Sequence, residues 1–166
     1  FNLLGKEVFL REVCIHWSKD IDLEIDKILR ENHVKNFVHI HPVSRWMFKC
    51  WEADRMAKII DYIEEEKNIK VLITGSSVKK EVDWIDQIIA LCNTNPINLT
   101  VQLTLKHLAS VSSKAKLFFG VDTAPMPIPA ATNTPVLSIF GASFVGLSHR
   151  SAIKSLNRIS FAPCCT

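Results

Sequence analysis

The chain has 166 residues, of which 48% are hydrophobic and 22% charged, and its formal net charge is +3. This is the composition of an ordinary globular protein that is long enough for one domain with its own core. The mild positive charge suits an anionic small ligand or an acidic membrane surface and does not indicate a nucleic-acid-binding protein. No apolar run approaches the roughly 18 residues that cross a bilayer, and the first residues lack the layout of a signal peptide.

The five cysteines are odd in number, irregular in spacing and form no CxxC motif. They predict a reducing compartment, the cytoplasm, rather than a disulfide framework. The adjacent Cys164 and Cys165 leave a metal or redox site open, but two thiols near a chain terminus are the simpler interpretation. The histidines show no metal-binding spacing, so no metal site is predicted.

The first predicted element is an amphipathic helix over residues 20–31, where isoleucine and leucine recur at helical spacing. From residue 36 onward, apolar strands alternate with amphipathic helices. The predicted strands are 37–40, 70–74, 97–99, 116–119 and 136–140, and helices are predicted over 52–65, 78–91 and 103–112. The helix residues predicted to face the core are Met56, Ile59, Ile60, Ile63, Val82, Ile85, Ile88, Ile89, Leu105, Leu108 and Val111.

This alternation predicts an α/β fold, a Rossmann-like parallel sheet with right-handed crossovers and helices on both faces. The predicted domain covers residues 36–145 and follows a helical leading segment or linker over 1–35. Beyond Gly141 the pattern ends, and an irregular segment without a strand is predicted for 146–166.

Every strand-to-helix loop of such a sheet emerges at the edge formed by the carboxyl ends of the strands, and open α/β sheets bind ligands there. The first loop, 41–51, offers the hydroxyl of Ser44, the guanidinium of Arg45 and the ammonium of Lys49 before a helix. Such groups suit a diphosphate. A solvated loop whose Trp46 and Trp51 pack on the domain is the open alternative.

The second loop contains Thr74, Gly75 and Ser76, small residues that would let a ligand approach the backbone. Glu81 follows on the first turn of the next helix, where its carboxylate could hold a ribose hydroxyl. Stabilisation of the helix dipole is the more ordinary role. The loop is neither a GxGxxG fingerprint nor a Walker A motif, which disfavours dinucleotide oxidoreductases and P-loop proteins.

The fourth strand is followed by Asp122, Thr123 and Ala124 and then by a proline-rich, small-residue helical stretch. An acid at this position can bind sugar hydroxyls or act as a base, and a helix N-terminus attracts phosphate. Asp122 and Thr123 could equally serve as helix N-caps. Among the histidines, only His41 is predicted to lie at the binding edge, and the others, His16, His33, His39, His107 and His149, are predicted to be structural.

Together these loops resemble glycosyltransferase family 9, the bacterial lipopolysaccharide heptosyltransferases, and most nearly the heptosyltransferase III type. The resemblance runs from about Phe37 to Gly141. It is carried by His41-Pro42-x-Ser44-Arg45-Trp46-x-x-Lys49-x-Trp51, by Thr74-Gly75, and by Gly120-Val121-Asp122-Thr123-Ala124-Pro125-Met126 with Ala130-Ala131, Asn133-Thr134-Pro135 and Phe140-Gly141.

The resemblance implies the C-terminal, donor-binding half of a B-type glycosyltransferase that transfers heptose from ADP-heptose to the lipopolysaccharide core with inversion and without a metal or other cofactor. Ser44 and Lys49 would then bind the donor phosphates, and Asp122 and Thr123 would contact the donor sugar and phosphate. The catalytic base belongs to an acceptor-binding domain that residues 1–35 are too few to form. The resemblance also implies a peripheral position at the inner membrane, and a sheet face without its partner domain suggests self-association.

Two departures from the family pattern leave an alternative open. Pro127 and Pro129 replace a histidine and an alanine, which removes an imidazole and backbone N–H groups from the fourth loop. Without the acceptor-binding half, the chain could also be a truncated, inactive Rossmann-like module for binding or assembly. A flavodoxin-like response module is disfavoured because the first loop is cationic rather than acidic.

Overall fold

The computed structural model describes residues 14–140 and 159–163. Its centre is one parallel sheet of six strands in the order β3-β2-β1-β4-β5-β6. The strands are β1 Phe37–His41, β2 Lys70–Ile73, β3 Ile97–Asn98, β4 Leu117–Val121, β5 Val136–Phe140 and β6 Ile159–Pro163. The predicted fold class, a Rossmann-like parallel α/β sheet, is confirmed.

Within the described residues, five α-helices cover the two faces of this sheet. They are α1 Lys19–Glu31, α2 Ala53–Asp61, α3 Lys79–Leu91, α4 Leu105–Lys114 and α5 Pro127–Ala131. The last turn of α2 continues as a π-helix over Tyr62–Glu66, and a 3₁₀ turn, Met47–Lys49, precedes α2. Among the described residues, no helix combines the length and apolar character needed to cross a membrane.

Strands β1 and β2 supply two cores, one on each face, because successive side chains of a strand point to opposite faces of the sheet. Val38 and Ile40 of β1 lie in the core beneath α2 and α3, together with Ile85 and Ile88. Phe37 lies on the other side of β1, in the core that includes Ile25, Leu72, Leu99 and Val111. The strands therefore read as continuous apolar runs, as expected for a sheet covered on both faces.

The expectation of no strand beyond Gly141 was wrong. Residues Ile159–Pro163 form β6, which pairs with β5 in parallel register from Val136↔Ile159 to Phe140↔Pro163. This segment ends in proline, which lacks a backbone donor and is therefore tolerated mainly on edge strands. β6 is the last strand in the sheet order. Pairing with β5, rather than any local apolar pattern, defines this strand.

The prediction for Leu105 is wrong, whereas the helix predicted in the leading segment is present. Leu105 was predicted to face the core but is 63% exposed, because it begins α4 and lies one turn before the buried Leu108. The helix predicted in the leading segment is α1, and its Ile25 is buried in the second core. Lys114 of α4 contacts α1 through Asp26, with the ammonium nitrogen 2.9 Å from a carboxylate oxygen.

The domain boundaries at residues 35 and 145 stay a prediction. Cys164, Cys165 and His149 lie outside the described residues.

Candidate functional site

The strand order opens a crevice at the carboxyl ends of β1 and β4. These strands are neighbours, with His41 of β1 opposite Gly120 of β4. The chain leaves β1 toward α2 on one face and leaves β4 toward α5 on the other. Such a reversal is the topological switch point at which open α/β sheets bind ligands. The first and fourth loops border this crevice.

A short ion pair bridges the two loops. The ammonium nitrogen of Lys49 lies 2.7 Å from the Oδ2 atom of Asp122, although 73 residues separate them. The side chains are 21% and 10% exposed, so both are mostly shielded from water. Ion pairs of this length are charge-assisted hydrogen bonds. The structure thus brings together the two residues on which the sequence-based site depends.

The first loop is compact around Lys49. The Lys49 N–H donates to the carbonyl of Trp46 at 2.9 Å, which closes the 3₁₀ turn. Ser44 is buried, and its hydroxyl accepts a hydrogen bond from the Trp46 N–H at 3.4 Å. Its own N–H points to the sulfur of Cys50, whose thiol pKa is raised mainly by burial. This order fixes the backbone from which the Lys49 side chain extends.

The alternative interpretation of the first loop was half right. Trp51 packs against the first core, as that interpretation required. Trp46, however, is 59% exposed, and Arg45 is exposed beside it. Trp46 therefore does not pack on the domain as that interpretation required.

The second loop is closed by Glu81. Its carboxylate is buried and accepts hydrogen bonds from the hydroxyl of Ser76 at 2.7 Å and from the Ser76 N–H at 3.3 Å. Glu81 lies in the first turn of α3, where its charge also complements the helix dipole. A side chain on Gly75 would collide with that of Ile85. A side chain at this position would therefore require the terminal methyl group of Ile85 to shift.

The Thr74 hydroxyl is held by two buried imidazoles rather than facing outward. Its Oγ1 atom lies 2.8 Å from Nε2 of His39 and 2.9 Å from Nδ1 of His41. His39 also contacts the hydroxyl of Ser112 at 3.0 Å through Nδ1. One hydroxyl carries one proton, so Thr74 can donate to only one imidazole and must accept from the other. The prediction that His39 is structural is confirmed.

Sequence reasoning missed that His39, Thr74 and His41 act as one unit. The available signal was the period of the strand, since two histidines two residues apart share a face. Thr74 directly follows β2, whose Ile73 pairs with Ile40 between these histidines. Burial lowers the pKa of His39 to about 3, with a smaller contribution from His41, and burial lowers the pKa of His41 to about 4.

Because burial keeps the imidazoles of His39 and His41 neutral, we expect the fold to lose stability in mild acid. They stay neutral in the fold until the pH falls to about 4 or below, whereas histidine in the unfolded chain takes up a proton below about 6.5. The unfolded state therefore binds more protons in this window, and stability falls as the pH falls. We expect the free energy of unfolding, measured by urea denaturation, to drop by about 2 kcal/mol between pH 6 and pH 5. His39→Gln should roughly halve this drop, and equal stability at the two pH values would contradict the prediction.

The fourth loop differs from the expected helix cap. Met126 occupies the N-cap position of α5, and neither Asp122 nor Thr123 caps it. The carbonyl of Thr123 accepts a hydrogen bond from the Met126 N–H at 3.1 Å, and Ala124 is exposed. Pro127 occupies the first helical position, which it was predicted to tolerate, but α5 has only five residues. The carboxylate of Asp122 meets the Lys49 ammonium, and α5 begins only after Met126.

Gly120 allows β4 to approach β1 at this point. A Cβ atom on Gly120 would lie 2.9 Å from the carbonyl oxygen of His41 and 3.0 Å from the ring of Phe118. Both distances are too short for an ordinary contact. The absence of a side chain on Gly120 thus determines how closely the two loops of the crevice converge.

In the described part of the chain, no three potential metal ligands come together. Of the predicted donor-binding residues, Lys49 and Asp122 meet at the crevice, and Ser44 is buried in the first loop. Ser76 and Glu81 bind each other on the β2 side. Thr74 and Gly75 serve the interior, while Arg45 and Ala124 are exposed and Thr123 is half-buried.

The family model for glycosyltransferase family 9 (heptosyltransferase) matches residues 16–160. The chain is 35% identical over 142 residues to lipopolysaccharide heptosyltransferase 3 of Escherichia coli K12, covering 84% of this chain and 41% of that protein. This chain therefore spans about two fifths of the length of that relative.

Solved structures show the same fold. A family 9 glycosyltransferase from Veillonella parvula superposes with a TM-score of 0.82 at 16% identity, covering 93% of this chain and 43% of that one. The E. coli ADP-heptose lipopolysaccharide heptosyltransferase II superposes with a TM-score of 0.73 at 17% identity, covering 92% of this chain and 46% of that one. The matched sequence motifs and the shared fold agree: the chain belongs to glycosyltransferase family 9, the heptosyltransferases.

Proposed function

We propose that this chain binds the nucleotide-sugar donor of a lipopolysaccharide heptosyltransferase, and that the donor is ADP-heptose. The observation that carries the proposal is the Lys49–Asp122 pair at the switch point between β1 and β4, with its 2.7 Å separation. The ammonium of Lys49 can bind a diphosphate, and the carboxylate of Asp122 can accept hydrogen bonds from sugar hydroxyls. A nucleotide sugar carries both kinds of group. The similarity to the E. coli ADP-heptose lipopolysaccharide heptosyltransferase II supports the choice of ADP-heptose.

Each group has a defined task in this proposal. Lys49 supplies the fixed positive charge for the diphosphate and stabilises the charge that develops on it when the sugar leaves. Ser44, which lies in the same loop, contributes its hydroxyl to the phosphates. Asp122 accepts hydrogen bonds from sugar hydroxyls and holds the Lys49 ammonium in place. Thr123, the exposed Arg45 and the Ser76–Glu81 pair complete the rim, with Glu81 toward a ribose.

Titration calorimetry with the purified chain tests this function. We expect ADP and ADP-heptose to bind, and AMP to bind at least about tenfold more weakly, because AMP lacks the second phosphate that a fixed cation would meet. The absence of measurable binding by both ADP and ADP-heptose would refute the proposal for this chain.

A transfer assay separates catalysis from binding. The inverting transfer of heptose to the lipopolysaccharide core also requires an acceptor site and a catalytic base, which we assign to sequence that the relatives possess beyond the matched region. Retained ADP-heptose binding without transfer would identify this chain as a binding module. The Pro127 and Pro129 substitutions in the five-residue α5 favour that second candidate. A cytoplasmic location, peripheral contact with the inner membrane and self-association stay predictions.

A further inference from the structure

The imidazole of His41 has one ring nitrogen without a protein partner. His41 is the last residue of β1, at the carboxyl edge of the sheet, and it is 4% exposed. Its Nδ1 atom lies 2.9 Å from the hydroxyl of Thr74. Within the described residues, its Nε2 atom has no hydrogen-bond partner. Because buried polar atoms are nearly always paired, this nitrogen is available to a bound molecule.

The position of His41 in the sheet places this nitrogen at the crevice. β1 lies between β2 and β4, and His41 is opposite Gly120, two residues before Asp122. Thr74 directly follows β2 and takes the Nδ1 side of the ring. The two nitrogens of an imidazole direct their hydrogen bonds apart, so Nε2 is directed away from Thr74. His41 thus lies in the floor of the crevice that Lys49 and Asp122 bridge.

The proton positions of His41 and His39 are coupled through Thr74. The Thr74 Oγ1 atom also lies 2.8 Å from Nε2 of His39. Burial lowers the pKa values of the two histidines to about 4 and about 3, so each ring carries one proton at neutral pH. If Thr74 donates to His41, both rings carry this proton on Nε2. If Thr74 donates to His39, both rings carry it on Nδ1.

The inner end of this chain of hydrogen bonds accepts either arrangement. Nδ1 of His39 lies 3.0 Å from the hydroxyl of Ser112, which can donate or accept. The outer end, Nε2 of His41, therefore decides between them. An oxygen atom that only accepts hydrogen bonds, such as a phosphate oxygen, selects the arrangement in which this Nε2 carries the proton.

We propose that His41 is a further ligand-binding residue of the crevice and that its Nε2–H group donates a hydrogen bond to a diphosphate oxygen of the donor. This inference rests on the proposed function, because the diphosphate that Lys49 binds supplies the accepting oxygen. A neutral imidazole adds a donor here without burying a second cation. Thr74 and His39 act through His41 and are positioning residues that fix the proton on its ring.

Imidazole ¹⁵N NMR tests the proton positions, because protonated and unprotonated ring nitrogens differ in chemical shift. In the unmodified chain saturated with ADP, we expect His39 and His41 both to carry the proton on Nε2. The Nε2 resonance of His41 should shift as ADP is added. A proton on Nδ1 of His41 in the ADP complex would overturn the proposal, and so would His41 resonances that ignore ADP. Different tautomers for the two rings would refute their coupling.

Two substitutions of His41 separate the roles of its nitrogens. The amide of asparagine reaches only the position of Nδ1, whereas that of glutamine reaches the position of Nε2. We expect His41→Asn to weaken the binding of ADP and ADP-heptose by the same factor, roughly fivefold, in titration calorimetry. His41→Gln should retain most of the affinity, because its amide can donate to the phosphate. Unchanged ADP affinity in His41→Asn would contradict the contact, and a loss confined to ADP-heptose would assign Nε2 to the sugar instead.

His16→Asn is the matched control, because it makes the same change at an exposed histidine that precedes α1. This variant should bind both ligands as the unmodified chain does, and thermal unfolding shows whether each variant is folded. A failure of the proposed function looks different. ADP would then not bind to the unmodified chain, while the shared tautomer of His39 and His41 would still be observed without ligand.

Discussion

Replacing Lys49 with alanine should weaken the binding of ADP and ADP-heptose by on the order of 30- to 100-fold. In the proposed function, this variant loses a charge-assisted hydrogen bond between a diphosphate and a side chain that is only 21% exposed. Such a bond contributes about 2–3 kcal/mol, and each 1.4 kcal/mol corresponds to roughly a factor of ten in affinity. AMP, which lacks the second phosphate, should lose less. Titration calorimetry on the purified variant measures all three ligands.

Three comparisons make this result specific. Lys58→Ala removes the same charge from α2, where the side chain is 77% exposed, and should bind both ligands as the unmodified chain does. Lys49→Arg keeps the charge but changes its shape, so an intermediate affinity is expected. Because Lys49→Ala also removes one partner of Asp122, thermal unfolding of each variant must confirm that the fold is intact. If Lys49→Ala and Lys58→Ala lost the same affinity for ADP, the change in net charge alone would explain the effect. A specific contact between Lys49 and the phosphates would then be refuted.

Replacing Phe118 with alanine should destabilise the fold by about 3–5 kcal/mol, the usual cost of such a cavity in a core. Phe118 is fully buried on β4, in the cluster with Met126 and Val136. Its ring also meets that of His39 edge-on, with centroids 4.9 Å apart and an interplanar angle of 89°. The residue therefore supports both α5 and the buried histidine unit. Urea denaturation followed by circular dichroism gives the free energy of unfolding.

Phe48→Ala provides the same chemical change on the surface, because Phe48 is 69% exposed. Its free energy of unfolding should lie within about 0.5 kcal/mol of that of the unmodified chain. Phe118→Leu preserves more volume and should cost clearly less than the alanine variant. If Phe118→Ala proved as mild as Phe48→Ala, the core beneath the crevice would not be packed as described.

The local pattern of the chain was a sound guide wherever hydrophobic burial decides the structure. The predicted strand 136–140 is β5 with the same bounds, and Ile85 and Ile88 of the predicted helix stripe are fully buried. Apolar periodicity is repeated along each element and records which face meets the core. Leu105 deviates because the end of a helix extends beyond the sheet that buries its middle.

The loops were harder to interpret, because the partner of a polar side chain depends on distance in space. The edge rule for parallel sheets placed Lys49 and Asp122 on the same side of the molecule, and it could not tell that they form a 2.7 Å ion pair. The same rule assigned Thr74 to the ligand, whereas its hydroxyl joins His39 and His41. Helix capping was the alternative interpretation of Asp122, and the helix α5 begins only after Met126.

By itself the sequence determined the alternation of strands and helices, the two apolar faces of the sheet and the loops that gather at its carboxyl edge. These features follow from side-chain periodicity and from the rules of parallel sheets, and both act over short stretches of chain. Only the tertiary structure decided the addition of β6, the partner of the Lys49 ammonium, the inward turn of Thr74 and the exposure of Trp46. Each of these depends on groups far apart in the chain, and their distances are set by how the whole sheet and its helices pack.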